Sequence, residues 1–149
     1  MMNLIRTAAD DPSFLRLTGE LSLELRERYG ALQDQYEPHN NVENAAAVIV
    51  AEENGTPVGC GCFRVVDETT IEIKRMYVPP TWRGRGIAAL ILERLEQIAR
   101  SRGFTAAILE TGVRQPEAVR LYERHGYRRI ENYGPYKGMT ESVCMQKDI

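Results

Sequence analysis

No stretch of this chain approaches the roughly 20 consecutive apolar residues that a membrane-spanning helix needs, which argues against an integral helical membrane protein. Positive charge is not in excess either. Nineteen Lys and Arg stand against 21 Asp and Glu, a formal net charge of -2, so the basic face that nucleic-acid binding requires is missing. Met1 to Asp10 holds no long hydrophobic segment with a cleavage site, and the expectation is a cytoplasmic protein. Cysteine is scarce and odd in number. Cys60, Cys62 and Cys144, in a chain without a leader, read as free thiols in a reducing compartment. Only His39 and His125 could join them as metal ligands, and neither lies at a ligand spacing, so no metal site is expected.

What is present suits one ordinary domain over 1–149. The 43% hydrophobic and 27% charged content are those of a globular protein, and 149 residues suffice to bury about two-thirds of the unfolded surface in a single core. The stretch from Val78 to Gly103 organises it. An apolar strand ends at Val78, Pro79 and Pro80 stop it, and Arg83-Gly84-Arg85-Gly86 opens directly into a helix. Along that helix Ile87, Leu90, Ile91, Leu95, Ile98 and Ala99 recur at three- and four-residue spacing, while Glu93, Arg94, Glu96, Gln97 and Arg100 fill the other face. A strand, a glycine turn and a helix N-terminus present a row of backbone N–H groups with about half a positive charge behind them, which is a site for phosphate. Gly84 and Gly86 let an anion approach the backbone, and Arg83 and Arg85 add charge at the rim.

Two common phosphate loops do not fit. Gly84 to Ala89 matches G-x-G-x-x-A, with Glu110 downstream, but a dinucleotide fold needs that turn after its first strand in a parallel series, and here antiparallel strands come first. No Gly-Lys-Ser/Thr follows the glycines, so the nucleotide-triphosphate loop fails as well.

The rest of the chain supplies alternating elements. Leu4 to Thr7 suits a first strand. Asp10 or Asp11 can cap a helix carrying Phe14, Leu17, Leu21, Leu25 and Tyr29 on one face, and Ala31 to Asn44 reads as a short helix or turn and then a loop. Strands follow at Ala45 to Glu52, Pro57 to Val66 and Thr70 to Val78. In the last of them Ile71, Ile73, Arg75 and Tyr77 share one face, and Glu72, Lys74, Met76 and Val78 the other. Ala106 to Thr111 is a buried strand, parallel to the Thr70 to Val78 strand because a helix joins them. Gln115-Pro116 opens a shorter helix with Ala118, Leu121 and Tyr122 inward, and Tyr127 to Ile130 pairs with Ser142 to Lys147.

Three motifs in this order carry a resemblance. They are Glu72-Ile73-Lys74-Arg75-Met76-Tyr77-Val78, the Arg83 to Ala88 loop of form R-x-x-G-x-A, and Ala118 to Tyr127 of form A-x-x-L-Y-x-x-x-G-Y. Together with the elements between them they resemble the GNAT superfamily of acetyl-CoA-dependent N-acetyltransferases, in its small single-domain bacterial form. The resemblance implies the α/β (α+β) GNAT fold: a mixed central sheet with an antiparallel meander, a splayed parallel strand pair and flanking helices. It implies acetyl-CoA as co-substrate, held by Met76, Tyr77, Val78, Arg83, Gly84, Arg85, Gly86, Ile87, Ala88, Gln115, Ala118 and Tyr122. Gln115 departs from the Asn that many members carry there. The acceptor side would be formed by Ala31 to Asn44 and Tyr133 to Lys137, with Tyr29, Tyr36, Glu72, Tyr133 and Tyr136 as substrate-binding candidates.

Amine acetylation sets the chemistry. An alkyl ammonium of pKa about 10.4 is neutral only about once in 2,500 at pH 7, an obstacle of about 4 to 5 kcal/mol, so a base must take its proton. By resemblance to histone-type members that base is Glu72; a carboxylate paired with Lys74 is the other reading. By its motif Tyr122 protonates the departing thiolate, where the alternative is a core aromatic beside Leu121. A backbone N–H near Met76 to Val78 would polarise the acetyl carbonyl. No His stands in a sequence context that would activate a cysteine, which argues for direct transfer without a thiol shuttle. The implied reaction is transfer to a primary amine of a small molecule. A protein or peptide acceptor, or a silent acetyl-CoA-binding sensor, stays open, as does a homodimer.

Overall fold

The computed structural model describes residues 1–149. Seven strands form one sheet: β1 (Met2–Thr7), β2 (Ala47–Glu53), β3 (Thr56–Val65), β4 (Thr70–Tyr77), β5 (Ala106–Gly112), β6 (Arg128–Ile130) and β7 (Ser142–Asp148). Their order is β1-β2-β3-β4-β5-β7-β6, antiparallel throughout except for the β4–β5 pair. Helix α1 (Pro12–Tyr29) follows β1, α2 (Ile87–Ser101) links β4 to β5, and α3 (Pro116–Arg124) follows β5. None of them is long and apolar enough to cross a membrane.

Local chemistry sets the boundaries. Asp11 caps α1, its Oδ2 accepting from Phe14 N at 3.0 Å, and Pro12 occupies the first turn, where its missing N–H costs nothing. Asn54 and Gly55 turn β2 into β3 with φ of 50° and 84°, the left-handed pair that a tight hairpin requires. The weakly patterned segment after α1 forms two short 3-10 turns, Gly30–Gln35 and Glu37–His39.

The sheet is covered on both faces. Phe14, Leu17 and Leu21 of α1 pack on Val48, Val50, Cys60, Cys62 and Tyr77, while Ile87, Ile91, Leu92, Leu95 and Ala99 of α2 pack with Val119 and Tyr122 of α3 against Ile49, Phe63, Ile71, Ile73 and Leu109. Each such buried side chain contributes about 1.5 to 3 kcal/mol, which fixes where the helices sit. The three cysteines are buried free thiols, Cys60 and Cys62 together under α1.

Two expectations about side-chain faces need correction. In α2 the buried stripe includes Leu92 and Glu96, whereas Leu90 is 43% exposed. Glu96 sits 3% exposed because Tyr127 OH donates to it at 2.8 Å and Lys147 Nζ at 2.9 Å, so a carboxylate that looked solvated ties α2 to the final strands. In β4 the alternation breaks. The β3–β4 register shifts between Cys60 and Cys62, and Arg75 takes φ of 58°, outside the usual range for a residue with a side chain. Arg75 therefore turns towards α1, donating to Thr18 O and Ser22 Oγ at 2.6 Å each, and Tyr77 follows into the α1 cluster instead of joining Ile71 and Ile73.

Candidate active site

The parallel pair creates the opening. β4 and β5 are paired only from Thr70–Ala106 to Ile73–Leu109, yet β4 runs on to Tyr77 and β5 to Gly112. Beyond Ile73 the strands part, and a chamber of about 100 Å³ occupies the gap, lined by Glu72 to Met76 on one side and by Glu110 and Thr111 on the other. A larger cleft of about 430 Å³ runs from there past Met76, Tyr77 and Val78 to the glycine loop and between α2 and α3. The two meet at Leu21, Met76, Gln115, Ala118 and Tyr122.

The glycine end of the cleft is built for an anion. Gly86 precedes α2 with φ of 78°, no side chain caps the helix and no acidic residue stands in its first turn, so the first-turn N–H groups are free to bind. Gly84, at φ of 77°, shares the left-handed conformation, and a Cβ on either glycine would point into open space. Arg83 is fixed by its own Nε, which donates to Val78 O at 2.7 Å, and by an ion pair with Glu24 at 2.7 Å. Of the residues expected to hold a cofactor, all line this cleft except Arg85, which is exposed with its guanidinium 4.7 Å from the Trp82 ring centroid. A pyrophosphate and an extended apolar-polar arm fit this lining: glycine N–H groups at one end, then Val78, Met76, Ala118 and Leu121 towards the chamber.

The two expected catalytic residues differ in their surroundings. Tyr122 lies at the junction of cleft and chamber, 6% exposed, its ring edge-on to Tyr127 with centroids 5.7 Å apart. Burial raises its pKa well above the usual phenol, and the charge of Glu110 adds to the effect, so the hydroxyl keeps its proton. Glu72 also lines the chamber, but its carboxylate is committed. Arg64 Nε donates to Oε1 at 2.5 Å, Tyr133 OH to Oε2 at 2.6 Å, and Lys74 Nζ stands 3.9 Å away. Lys74 in turn donates to His39 O at 2.5 Å, and burial lowers its pKa.

Glu110 is the carboxyl that sequence reasoning passed over. It lies on β5 facing the chamber, and burial pushes its pKa up to about 7, against one hydrogen bond from Ser142 Oγ at 2.7 Å that favours the charged form. The signal was its position at the carboxyl end of a buried parallel strand beside the glycine loop.

A third cavity, of about 40 Å³, continues from the chamber past Glu110 and Asn40 to Tyr29, Tyr36, Gln33 and Glu141. Tyr29 and Tyr36, expected as substrate-binding residues, line this cavity, and Tyr136 lines the chamber itself. Tyr133 lines neither cavity; its hydroxyl is engaged by Glu72. Tyr29 approaches β5 so closely that a Cβ at Gly112 would lie 1.6 Å from its hydroxyl, which accepts from Arg114 N at 3.2 Å. No group of three or more His, Cys, Asp or Glu is gathered in metal-binding proximity.

Comparison with known proteins bears on the family and the fold. The model of the acetyltransferase (GNAT) family matches residues 14–127. The chain is 41% identical over 102 residues to the IAA acetyltransferase of Azospirillum brasilense, a match covering 68% of this chain and 67% of that protein. Its fold superposes with a TM-score of 0.83 on a Klebsiella pneumoniae structure provisionally described as an acyl-CoA N-acyltransferase, at 30% identity and over 99% and 97% of the two chains. A GNAT family acetyltransferase of Elizabethkingia anophelis, solved with acetyl-CoA bound, shares the fold at a TM-score of 0.71 and 19% identity, over 99% and 98% of the chains.

Proposed function

Because this chain belongs to the acetyltransferase (GNAT) family, we propose that it moves the acetyl group of acetyl-CoA to the primary amine of a small molecule, directly and within a ternary complex. The observation that carries this reading is the junction at Tyr122 and Gln115, where a long cleft ending at free helix N–H groups opens into a small chamber holding a carboxyl of raised pKa. Bound in the cleft, acetyl-CoA supplies an activated thioester. The chain's residues do the rest.

The first turn of α2 and Gly84 to Ala88 hold the pyrophosphate, and the β4 edge from Met76 to Val78, free of β5, aligns the pantetheine arm. Backbone N–H groups on that edge stand where the acetyl carbonyl oxygen gains charge. Glu110 takes the proton that the amine loses as its nitrogen bonds to the acetyl carbon; a carboxyl near pKa 7 is half ionised at neutral pH and suited to the task. Tyr122 donates its hydroxyl proton to the sulfur as the carbon–sulfur bond breaks. Transfer from Glu110 to solvent, and from solvent to Tyr122, restores the starting state. Glu72, expected from the sequence to be the base, is assigned instead to positioning: held by Arg64 and Tyr133, it fixes the wall opposite Glu110.

A small acceptor is favoured over a protein because the chamber is only about 100 Å³, with Asn40 and Tyr136 among its lining residues. The test is to incubate the purified protein with acetyl-CoA and a panel of primary amines and to follow release of free thiol and the mass of the product. Amine-dependent thiol release with an acetylated product supports the reading, and thiol release that no amine accelerates overturns it.

A further inference from the structure

Of the two cations that line the chamber, Arg75 is committed and Lys74 is not. Arg75 Nη2 donates to Thr18 O and Ser22 Oγ of α1 at 2.6 Å each. An ammonium carries three N–H donors. Lys74 Nζ uses one of them, on His39 O at 2.5 Å, and its side chain is only 11% exposed. The nearest carboxylate oxygen, Glu72 Oε1, stands 3.9 Å away, beyond hydrogen-bond reach, and already accepts from Arg64 Nε at 2.5 Å. Two donors of a largely buried ammonium thus have no partner within the protein. Burial accordingly lowers the pKa of Lys74, because the contacts it has do not replace the water it has lost.

Lys74 and Glu110 border the same gap. The last paired residues of β4 and β5 are Ile73 and Leu109, and carrying that register one step further sets Lys74 opposite Glu110 on one face of the sheet. Both line the chamber, both keep some exposure, and each acts on the ionisation of the other. A ligand in the gap meets a carboxyl from β5 and, from β4, a cation with donors to spare. A neutral substituent on that ligand would leave the ammonium short of charge and of partners. A carboxylate supplies both, through charge-assisted hydrogen bonds. Resting on the acetyl-transfer reading above, we propose that the acceptor is a small amino acid, its carboxylate bound by Lys74 and its amine facing Glu110. Such a zwitterion brings no net charge into the chamber.

The experiment uses the full chain with L-alanine, L-alaninamide and isopropylamine, which share one skeleton and differ in carrying a carboxylate, a carboxamide or a methyl group. kcat/KM is read from thiol release, and mass spectrometry identifies the product. The wild type prefers L-alanine to both other amines by tenfold or more, since a site built to pair with a polar group rejects the analogue that lacks it. In Lys74→Met, which keeps the length of the side chain and loses its charge and donors, the alanine-to-isopropylamine ratio falls at least tenfold. Comparing the ratio between proteins cancels intrinsic amine reactivity, and it cancels the influence of Lys74 on Glu110, which every amine shares. Circular dichroism and an acetyl-CoA titration verify that the variant is folded. Acetate, which has the carboxylate and no amine, inhibits the wild type competitively against isopropylamine, and acetamide does not; this arm needs no variant. A wild type that acetylates isopropylamine or L-alaninamide as well as L-alanine, a ratio that survives Lys74→Met, or acetamide matching acetate overturns the amino-acid assignment and leaves acetyl transfer standing. If none of the three probes is acetylated the amino-acid assignment falls, and if the wider amine panel fails as well both readings fall.

Discussion

Replacing Glu110 by Gln separates the proton-accepting role from the shape of the site. Gln is isosteric, and its oxygen can still accept from Ser142, which now donates to the Glu110 carboxylate at 2.7 Å. What disappears is ionisation. Turnover at pH 7 should fall by about 10² to 10⁴, the range for a lost general base, and the wild-type rise in rate with pH through about 7 should vanish. Stability should move the other way. Below pH 4 this carboxyl is protonated in both folded and unfolded chains and makes no difference. Between its ordinary value of 4.5 and about 7 the unfolded chain releases the proton and the folded one keeps it, so stability drops across that window. Above pH 7 the folded state has lost about 3 kcal/mol. Glu110→Gln cannot ionise, so its Tm should exceed that of the wild type by about 6 to 12 °C at pH 8 and be nearly equal at pH 4. Scanning calorimetry across pH and initial rates from thiol release measure the two arms. Glu72→Gln is the contrast: it weakens the hold on Arg64 and Tyr133, costs about 2 kcal/mol, and moves the pH midpoint of the rate downward without abolishing it, because the Glu72 charge is the smallest of the influences on Glu110. Wild-type turnover in Glu110→Gln, or a Tm difference that does not change with pH, would refute the reasoning.

Two further substitutions probe the neighbouring elements. Tyr122→Phe keeps the packing on Tyr127 and removes the hydroxyl, so kcat should fall by about 10² or more with acetyl-CoA affinity unchanged; equal turnover would return Tyr122 to the core. Gly112→Ala puts a Cβ 1.6 Å from the Tyr29 hydroxyl, and the displaced ring should cost about 1 to 3 kcal/mol in chemical denaturation and raise the KM for the amine.

Most of the fold was legible because its signals are local. The glycine loop, the α1 cap at Asp11, the Asn54-Gly55 turn and the parallel strand after α2 each follow from a few adjacent residues. Glu96 was misplaced because its partners, Tyr127 and Lys147, come from far along the chain. The break in β4 at Arg75 leaves no trace in the residue pattern, since a bulge there depends on Thr18 and Ser22 receiving the guanidinium. The same limit governed the site. Glu72 and Glu110 look alike on their strands, and only the approach of Arg64 and Tyr133 to Glu72 separates the carboxylate proposed to position from the one proposed to react. Gln33, Asn40 and Glu141 line one cavity although they come from distant parts of the chain, which no local pattern reveals.

The most direct test of the account is calorimetric titration of acetyl-CoA into the wild type and into Gly86→Asp. The substitution puts a negative side chain at the N-terminus of α2, in a left-handed position that already disfavours it. The account predicts saturable binding at one site per chain in the wild type and an affinity lower by about 30-fold or more in the variant, equivalent to about 2 kcal/mol, with an unchanged circular dichroism spectrum. Equal affinity in two folded proteins, or a wild type that takes up no acetyl-CoA, would contradict it.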